Sequence, residues 1–439
     1  MHLNLLRNYL ALLEHQGQPA VSRRTVLTMG AAAGSLALGG LGQPAAASQA
    51  TPRSRPSRRR HDDFDDTFFD YADPANFADW VPSIYGAGDQ RGAFNEVTPD
   101  KTADAMKVLQ GGRGRGVRTF QLGELMTNGF PGYVTSPPRT YDQRLTLFGY
   151  TPPDDFVSRG GIFQGPTPLG RNRIHAHEER FGCELTPGFN EPFSTTYQIG
   201  TSLDNLNHAG AGGFFYNGFR GPDIAEWWGT NALGNEHMGP IVTRGVLLDV
   251  LGLKLKVDDS VIEPAANGKP VLAPNYRITI EDIQEAMRLG GIEEIEPGDV
   301  VLIRTGWNQF LDRSRGAFDP AELQRWGAAA GMPGIYLAEA RWLATMRPAI
   351  VGSDTWALEV LGSDANEPDV VFPVHQELLM RHGIRIVESA VLDALADAGV
   401  HEYVFIVTPQ FAAGATAANA PPAALAVPHR RTGSRWSAR

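Results

Sequence analysis

Short aliphatic runs alternate with stretches of helical period along most of the chain. Gly245-Val246-Leu247-Leu248-Asp249-Val250 has the continuous apolar character of a buried strand. Arg118–Leu122, Val300–Arg304, Ala349–Gly352, Ile384–Val387 and Tyr403–Val407 read as strands in the same way. Pro99–Leu109 reads as a helix, with Thr98 or Asp100 as its cap and Ala103, Met106 and Leu109 on one face. Thr279–Gly290 places Ile280, Ile283 and Met287 on one side, and Ala338–Met346 and Gln376–Arg381 are further helices. Glu296-Pro297-Gly298-Asp299 is a turn into the strand that follows it. Strands alternating with helices predict an α/β fold. Residues 128–195 break the pattern: they are rich in Gly, Pro and turn residues, and read as long loops over a core that line a site.

The ends of the chain differ from its body. Ser22-Arg23-Arg24-Thr25-Val26-Leu27, a glycine-diluted apolar stretch and then Pro44-Ala45-Ala46-Ala47 make the pattern of a twin-arginine export signal over residues 1–47. The expected location is therefore outside the cell or in its envelope. Residues 48–61 are polar and basic, as in a disordered linker, and 428–439 form a second tail. The folded domain is expected over 62–427, with the acidic-aromatic stretch Asp62–Trp80 laid over a surface.

Composition narrows the function classes. The net charge of -10 offers no basic face for phosphates, which excludes a nucleic-acid binder. The one cysteine, Cys183, excludes an intrachain disulfide framework and a Cys-rich zinc module. No uninterrupted apolar stretch is long enough for a stable membrane span. A small-molecule substrate is the remaining expected partner.

The candidate chemistry sits in Gln198-Ile199-Gly200-Thr201-Ser202-Leu203-Asp204-Asn205-Leu206-Asn207-His208. This segment resembles the His-x-Gly-Thr-His-x-Asp-x-x-x-His motif of the cyclase family, metal-dependent hydrolases that include kynurenine formamidases and isatin hydrolase. Gly200, Thr201, Asp204 and His208 keep the motif, while Gln198 and Ser202 replace two of its histidines. Other blocks follow in family order: Gly92–Pro99, Arg244–Asp249, Pro297–Trp307, Gly352–Thr355 with Glu359, His375–Glu388, and Gly414–Thr416 before Pro421 and Pro422. The resemblance implies a single α/β domain of the swivelling β/β/α type, with a mixed, barrel-like β core, flanking helices, and long insertions near 128–195 and 256–276. It also implies a homo-oligomer and a divalent metal.

Carried over residue by residue, the resemblance places the metal on Asp204, a late histidine and Glu388. His375 is preferred over His382 as that histidine. His208 is the implied acid/base, and Gln198 and Ser202 are left to orient substrate or water. Losing two imidazoles weakens zinc and moves the site toward oxygen-preferring ions, so a weakly held Mn²⁺ or Zn²⁺ is expected, with Mg²⁺ or Ca²⁺ also suited to such a site. The implied reaction is hydrolysis of a small amide, formamide, ester or lactone, arylformamidase-like in its chemistry. The alternatives are a small-molecule-binding protein with a decayed metal site, and a metal-free hydrolase using His208 with Asp204.

Several residues carry plainer readings. Asp204 could cap a helix with His208 one turn on. Asp249, and Asp354 with Thr355, are expected to be structural. His175, His177, Glu178 and Glu179 read as a solvated patch. Phe214, Phe215, Tyr216, Phe219, Trp227 and Trp228 divide between core and pocket wall, and nothing in the sequence places His237.

Overall fold

The computed structural model describes residues 64–428, apart from 113–115, 134, 136, 145, 149–187, 313–316, 319–330 and 362–371. The export signal, the linker, the tail beyond residue 428, Cys183 and the group His175, His177, Glu178 and Glu179 lie outside the described residues. Among those described, no helix is long and apolar enough to cross a membrane.

One nine-stranded sheet organises the chain. Its strands are β1 (Arg118–Gln121), β2 (Ser202–Asp204), β3 (Ile241–Asp249), β4 (Val300–Arg304), β5 (Ile350–Ser353), β6 (Arg385–Glu388), β7 (Glu402–Val407), β8 (Ala417–Asn419) and β9 (Ala423–Ala426). Across the sheet they run β1-β9-β7-β3-β4-β5-β6-β2-β8. β3, β4, β5 and β6 are parallel, and every other pairing is antiparallel. The mixed, curled half-barrel with flanking helices is the fold class that the sequence resemblance implied.

The apolar runs explain the parallel centre, because strands covered on both faces read as continuously hydrophobic. Val246, Leu248, Val301, Ile303, Val351 and Ile386 face α2 (Val250–Val257), α3 (Ile280–Gly290) and α4 (Leu337–Ala344) in one core cluster. Their neighbours Leu247, Val300, Leu302, Ile350 and Val387 fill a second core with Tyr403 and Phe405. α3 is closed at its start by a Thr279–Asp282 capping box and at its end by Gly291 in the left-handed region (φ 69°).

Two sequence expectations are corrected. The first helix, α1 (Pro99–Ala105), is capped by Thr98, but Ala103 and Met106 are exposed and Ala105 is the buried position. Its docking comes instead from Thr102, which donates to Val242 O on β3 (2.8 Å). Asp204 caps no helix; it ends β2. The segment that follows the Gly414–Thr416 block supplies two more strands, β8 and β9. Their alanine-rich sequences carry little β propensity, and the strands form because their neighbours bury them.

Candidate metal centre

The site forms where β2 meets β6. Their antiparallel register sets Ser202 opposite Glu388 and Asp204 opposite Ile386. Side chains alternate with a period of two, so Ser202, Asp204 and Glu388 share the face toward the helices. Gly200 enters β2 with φ of 61°, and a Cβ there would stand 2.3 Å from the Met126 sulfur. Thr201 then pins the two strands: its hydroxyl donates to Ser389 O (2.6 Å) and accepts from Glu124 N–H (2.9 Å). The motif's Gly-Thr pair is thus what aligns the acids.

His375 comes from a short helical turn (Pro373–His375) that continues as a π-type turn (Gln376–Arg381), a form that recurs at functional sites. Its Nδ1 lies 2.5 Å from Glu359 Oε1. Glu359 also accepts from the backbone N–H of Val374 (3.1 Å) and His375 (3.3 Å), so one carboxylate fixes both the turn and the ring. With the Nδ1 proton donated to Glu359, Nε2 faces Asp204 Oδ2 at 3.6 Å and Glu388 Oε1 at 3.4 Å. Two ligands each about 2.1 Å from a tetrahedral ion stand about 3.4 Å apart, so this spacing is that of a coordination shell. One donor atom from each of Asp204, His375 and Glu388 lies within 4.8 Å of the others, and all three residues are buried.

Asp204 supplies the test of fit. Among the described residues, neither of its buried oxygens has a hydrogen-bond partner. An ionised carboxylate left in that state costs several kcal/mol, whereas a cation beside it removes the cost. An imidazole nitrogen whose other nitrogen is held by a carboxylate, together with two carboxylates, suits a divalent ion. The residues present fit the group.

The electrostatics agree. Burial tends to raise the Asp204 pKa, but the imidazoles of His208 and His375 outweigh it and hold the carboxyl below its usual range. Burial, then the Asp204 charge, push Glu388 up to about 7. Burial opposes a charged His375, yet Asp204, Glu359 and Glu388 overcome it and hold its pKa well above the ordinary value. Without a cation the cluster therefore keeps protons in the cation's place.

The other expected site residues lie around this cluster. His208 is partly exposed, with Nε2 3.8 Å from Asp204 Oδ2, and burial lowers its pKa, which leaves it neutral. Gln198 Nε2 donates to His208 Nδ1 (3.2 Å) and to Thr416 Oγ1 (3.0 Å), so Gln198 braces the imidazole and does not join the acids. Ser202 is buried and its hydroxyl faces Glu388 Oε2 at 3.5 Å. His382 pairs with Glu377 (3.0 Å), away from Asp204, so His375 is the histidine that the fold brings to the acids. His237 lies against Glu236 (3.8 Å).

Asp354 and Asp249 have structural partners. Asp354 accepts from Thr305 N, Thr305 Oγ1 and Gly306 N, and Asp249 caps α2 and pairs with Arg304 (2.9 Å). Tyr216 is core, bonded to Asp89 (2.8 Å), and Phe214 packs on Phe77. Trp227 and Trp228 are exposed. Two features went unread in the sequence: the role of Glu359, and an aromatic wall in which Phe372 stands against His375 (5.1 Å) and Tyr133 against Phe372 (5.4 Å).

Comparison with known proteins gives a consistent placement. The chain aligns at 26% identity with the crystal structure of a novel cyclase (TM-score 0.57), over 77% of this chain and 97% of that one. Isatin hydrolase A from Ralstonia solanacearum aligns at 16% identity (TM-score 0.45), over 73% and 97%. A predicted metal-dependent hydrolase from Bacillus stearothermophilus aligns at 17% (TM-score 0.37), over 71% and 98%. No curated protein matches the chain. The profile of the Cyclase family, described as "Putative cyclase", matches residues 128–360, more than half of the sequence. The chain belongs to the cyclase family.

Proposed function

We propose that the protein is a metal-dependent hydrolase of a small amide, formamide, ester or lactone. The observation that carries this reading is the pair of fully buried Asp204 oxygens, without a hydrogen-bond partner among the described residues, beside His375 and Glu388. Asp204, His375 and Glu388 would hold the ion, Mn²⁺ or Zn²⁺. Bound there, it supplies Lewis acidity that polarises a carbonyl and acidifies water.

The chain's own groups do the rest. Glu359 keeps the His375 proton on Nδ1, so that Nε2 presents a lone pair to the cluster. Gln198, donating to Nδ1 of His208, leaves the other proton of that ring on Nε2, which faces the acids. His208 is thus set to donate a hydrogen bond to a leaving nitrogen or oxygen, and it can hand over a proton only after it has taken one up as the imidazolium. If the Gln198 amide turns so that its oxygen accepts from Nδ1–H, Nε2 becomes the acceptor and His208 can take a proton from water. Gln198 is a positioning residue in either state. Tyr133 and Phe372 offer aromatic surface for an apolar substrate.

The export signal read in the first residues places this activity outside the cytoplasm, and an oligomeric assembly accords with the family. The test is hydrolysis of a panel of aryl formamides, lactones and aryl esters with added Mn²⁺, with Zn²⁺ and with EDTA. Turnover that needs metal and falls by at least about 100-fold in His208→Ala is expected. Metal-independent turnover, or a His208→Ala enzyme at wild-type rate, refutes the mechanism. Stoichiometric metal with no hydrolysis of any member would favour the binding-protein reading.

A further inference from the structure

Several arginines of this fold are paired with carboxylates. Arg244 meets Asp299, Glu296 and Glu402; Arg277 meets Asp66 and Glu339; Arg304 meets Asp249 and Asp393; Arg341 meets Asp65 and Glu377. Arg139 is different. It is half-buried, and among the described residues no carboxylate lies within ion-pairing distance of it. Its guanidinium is 5.9 Å from the centroid of the Tyr133 ring, which the Phe372 ring links to His375. Its stem lies over Gly132, where a Cβ would stand 3.0 Å from Arg139 Cβ and 3.5 Å from Ile199, the neighbour of Gln198. The absence of a side chain at Gly132 is what lets the arginine lie against the site.

The charge of Arg139 is felt within the cluster, where it favours the ionised forms of Asp204 and Glu388 and disfavours a charged His208. Those carboxylates are engaged with a divalent ion in the loaded site, and Glu359 is engaged with His375. Arg139 is then a cation beside the site with no counter-charge among the described residues. A guanidinium beside an aromatic face presents a flat fork of donors, which matches a carboxylate in two parallel hydrogen bonds.

We propose that Arg139, with the Tyr133–Phe372 wall, forms an anion subsite beside the metal centre that selects substrates bearing a carboxylate on an aromatic or similarly flat apolar body. This rests on the hydrolase reading for the word substrate, but the subsite itself can be read by binding alone. The carboxylate docks on Arg139, the flat body lies along Tyr133 and Phe372, and the scissile group is delivered toward His208 and the acids. Arg139 is a specificity residue and takes no part in the bond cleavage.

Calorimetric titration of the full chain with benzoate, and with benzamide as the neutral analogue of the same shape, tests the subsite. Wild type, Arg139→Met and Arg139→Lys are compared at matched metal content and matched circular dichroism. Wild type should bind benzoate about tenfold more tightly than benzamide. The methionine variant should lose that preference while keeping its benzamide affinity, and the lysine variant should keep part of it. Benzoate binding no tighter than benzamide in wild type, or equally tight in Arg139→Met, overturns the assignment. A chain that hydrolyses nothing in the panel yet shows an Arg139-dependent preference for benzoate refutes the hydrolase reading and supports the subsite.

Discussion

Two buried aspartates, one at the end of β2 and one just after β5, are treated in opposite ways by the fold. Asp354 is saturated: Thr305 supplies its backbone N–H (3.0 Å) and its hydroxyl (2.6 Å), and Gly306 supplies another N–H (2.7 Å). Asp204 is equally buried, and neither of its oxygens has a donor among the described residues. Each charge-assisted hydrogen bond contributes about 1.5–3 kcal/mol, so the contrast amounts to several kcal/mol. A fold that satisfies one carboxylate so fully, yet leaves the other bare beside an imidazole and a second acid, holds that other one for a ligand. Satisfied acids build the scaffold, and unsatisfied ones mark the site.

The same substitution at both positions is the severest way to break this comparison. Asp204→Asn should lower metal-dependent turnover by about 10³-fold or more and abolish stoichiometric metal, while the metal-free protein changes stability by no more than about 1 kcal/mol, because losing a buried charge without hydrogen-bond donors is offset by losing its attraction to His375. Asp354→Asn should do the reverse: metal content and turnover per folded molecule persist, and stability falls by about 2–3 kcal/mol as its donors lose their acceptor. Metal analysis and urea unfolding of the two variants measure both quantities. Equal loss of stability in both would show that Asp204 is an ordinary structural acid.

How far the sequence alone reaches follows the same division. The parallel centre was readable because β3, β4, β5 and β6 are apolar on both faces, and that demand is written locally. Asp204, His375 and Glu388 were nameable from motif residues, but their meeting depends on the β2–β6 register, which pairs residues 202 and 388 across a long span of chain. No local pattern encodes that register. β8 and β9 escaped notice because their alanines and an asparagine signal strand only through their neighbours. Glu359 was visible as a residue without a task, since only the folded chain shows that it holds His375 at 2.5 Å.

Glu359 gives the next, smaller lever. It touches the putting in place of the metal ligand and not the ion itself, so Glu359→Gln should keep the fold and weaken metal affinity by about 10–100-fold. Titration with Mn²⁺, followed by calorimetry, measures this. Unchanged affinity would mean that the His375 ring is positioned without Glu359.

The mildest probe is pH. Glu388 stands at about 7, Asp354 at about 6, and His375 well above its ordinary value. A group whose pKa is raised on folding stabilises the fold fully below its unfolded value, and that contribution is lost as pH rises through the folded value. Metal-free protein should therefore lose stability as pH rises from about 4, the two carboxyls acting up to about pH 7 and His375 above that. Metal reverses the sign for two of the three, because the ion needs Glu388 ionised and Nε2 of His375 free, and its binding expels their protons. Asp354 lies outside the cluster and keeps its slope in either state. Urea midpoints at pH 5, 6, 7 and 8 should then show a gap between Mn²⁺-loaded and EDTA-treated protein that widens with each step. A gap that stays constant would place Glu388 and His375 away from the ion, and would reduce the contrast between the two aspartates to a difference in hydrogen bonding alone.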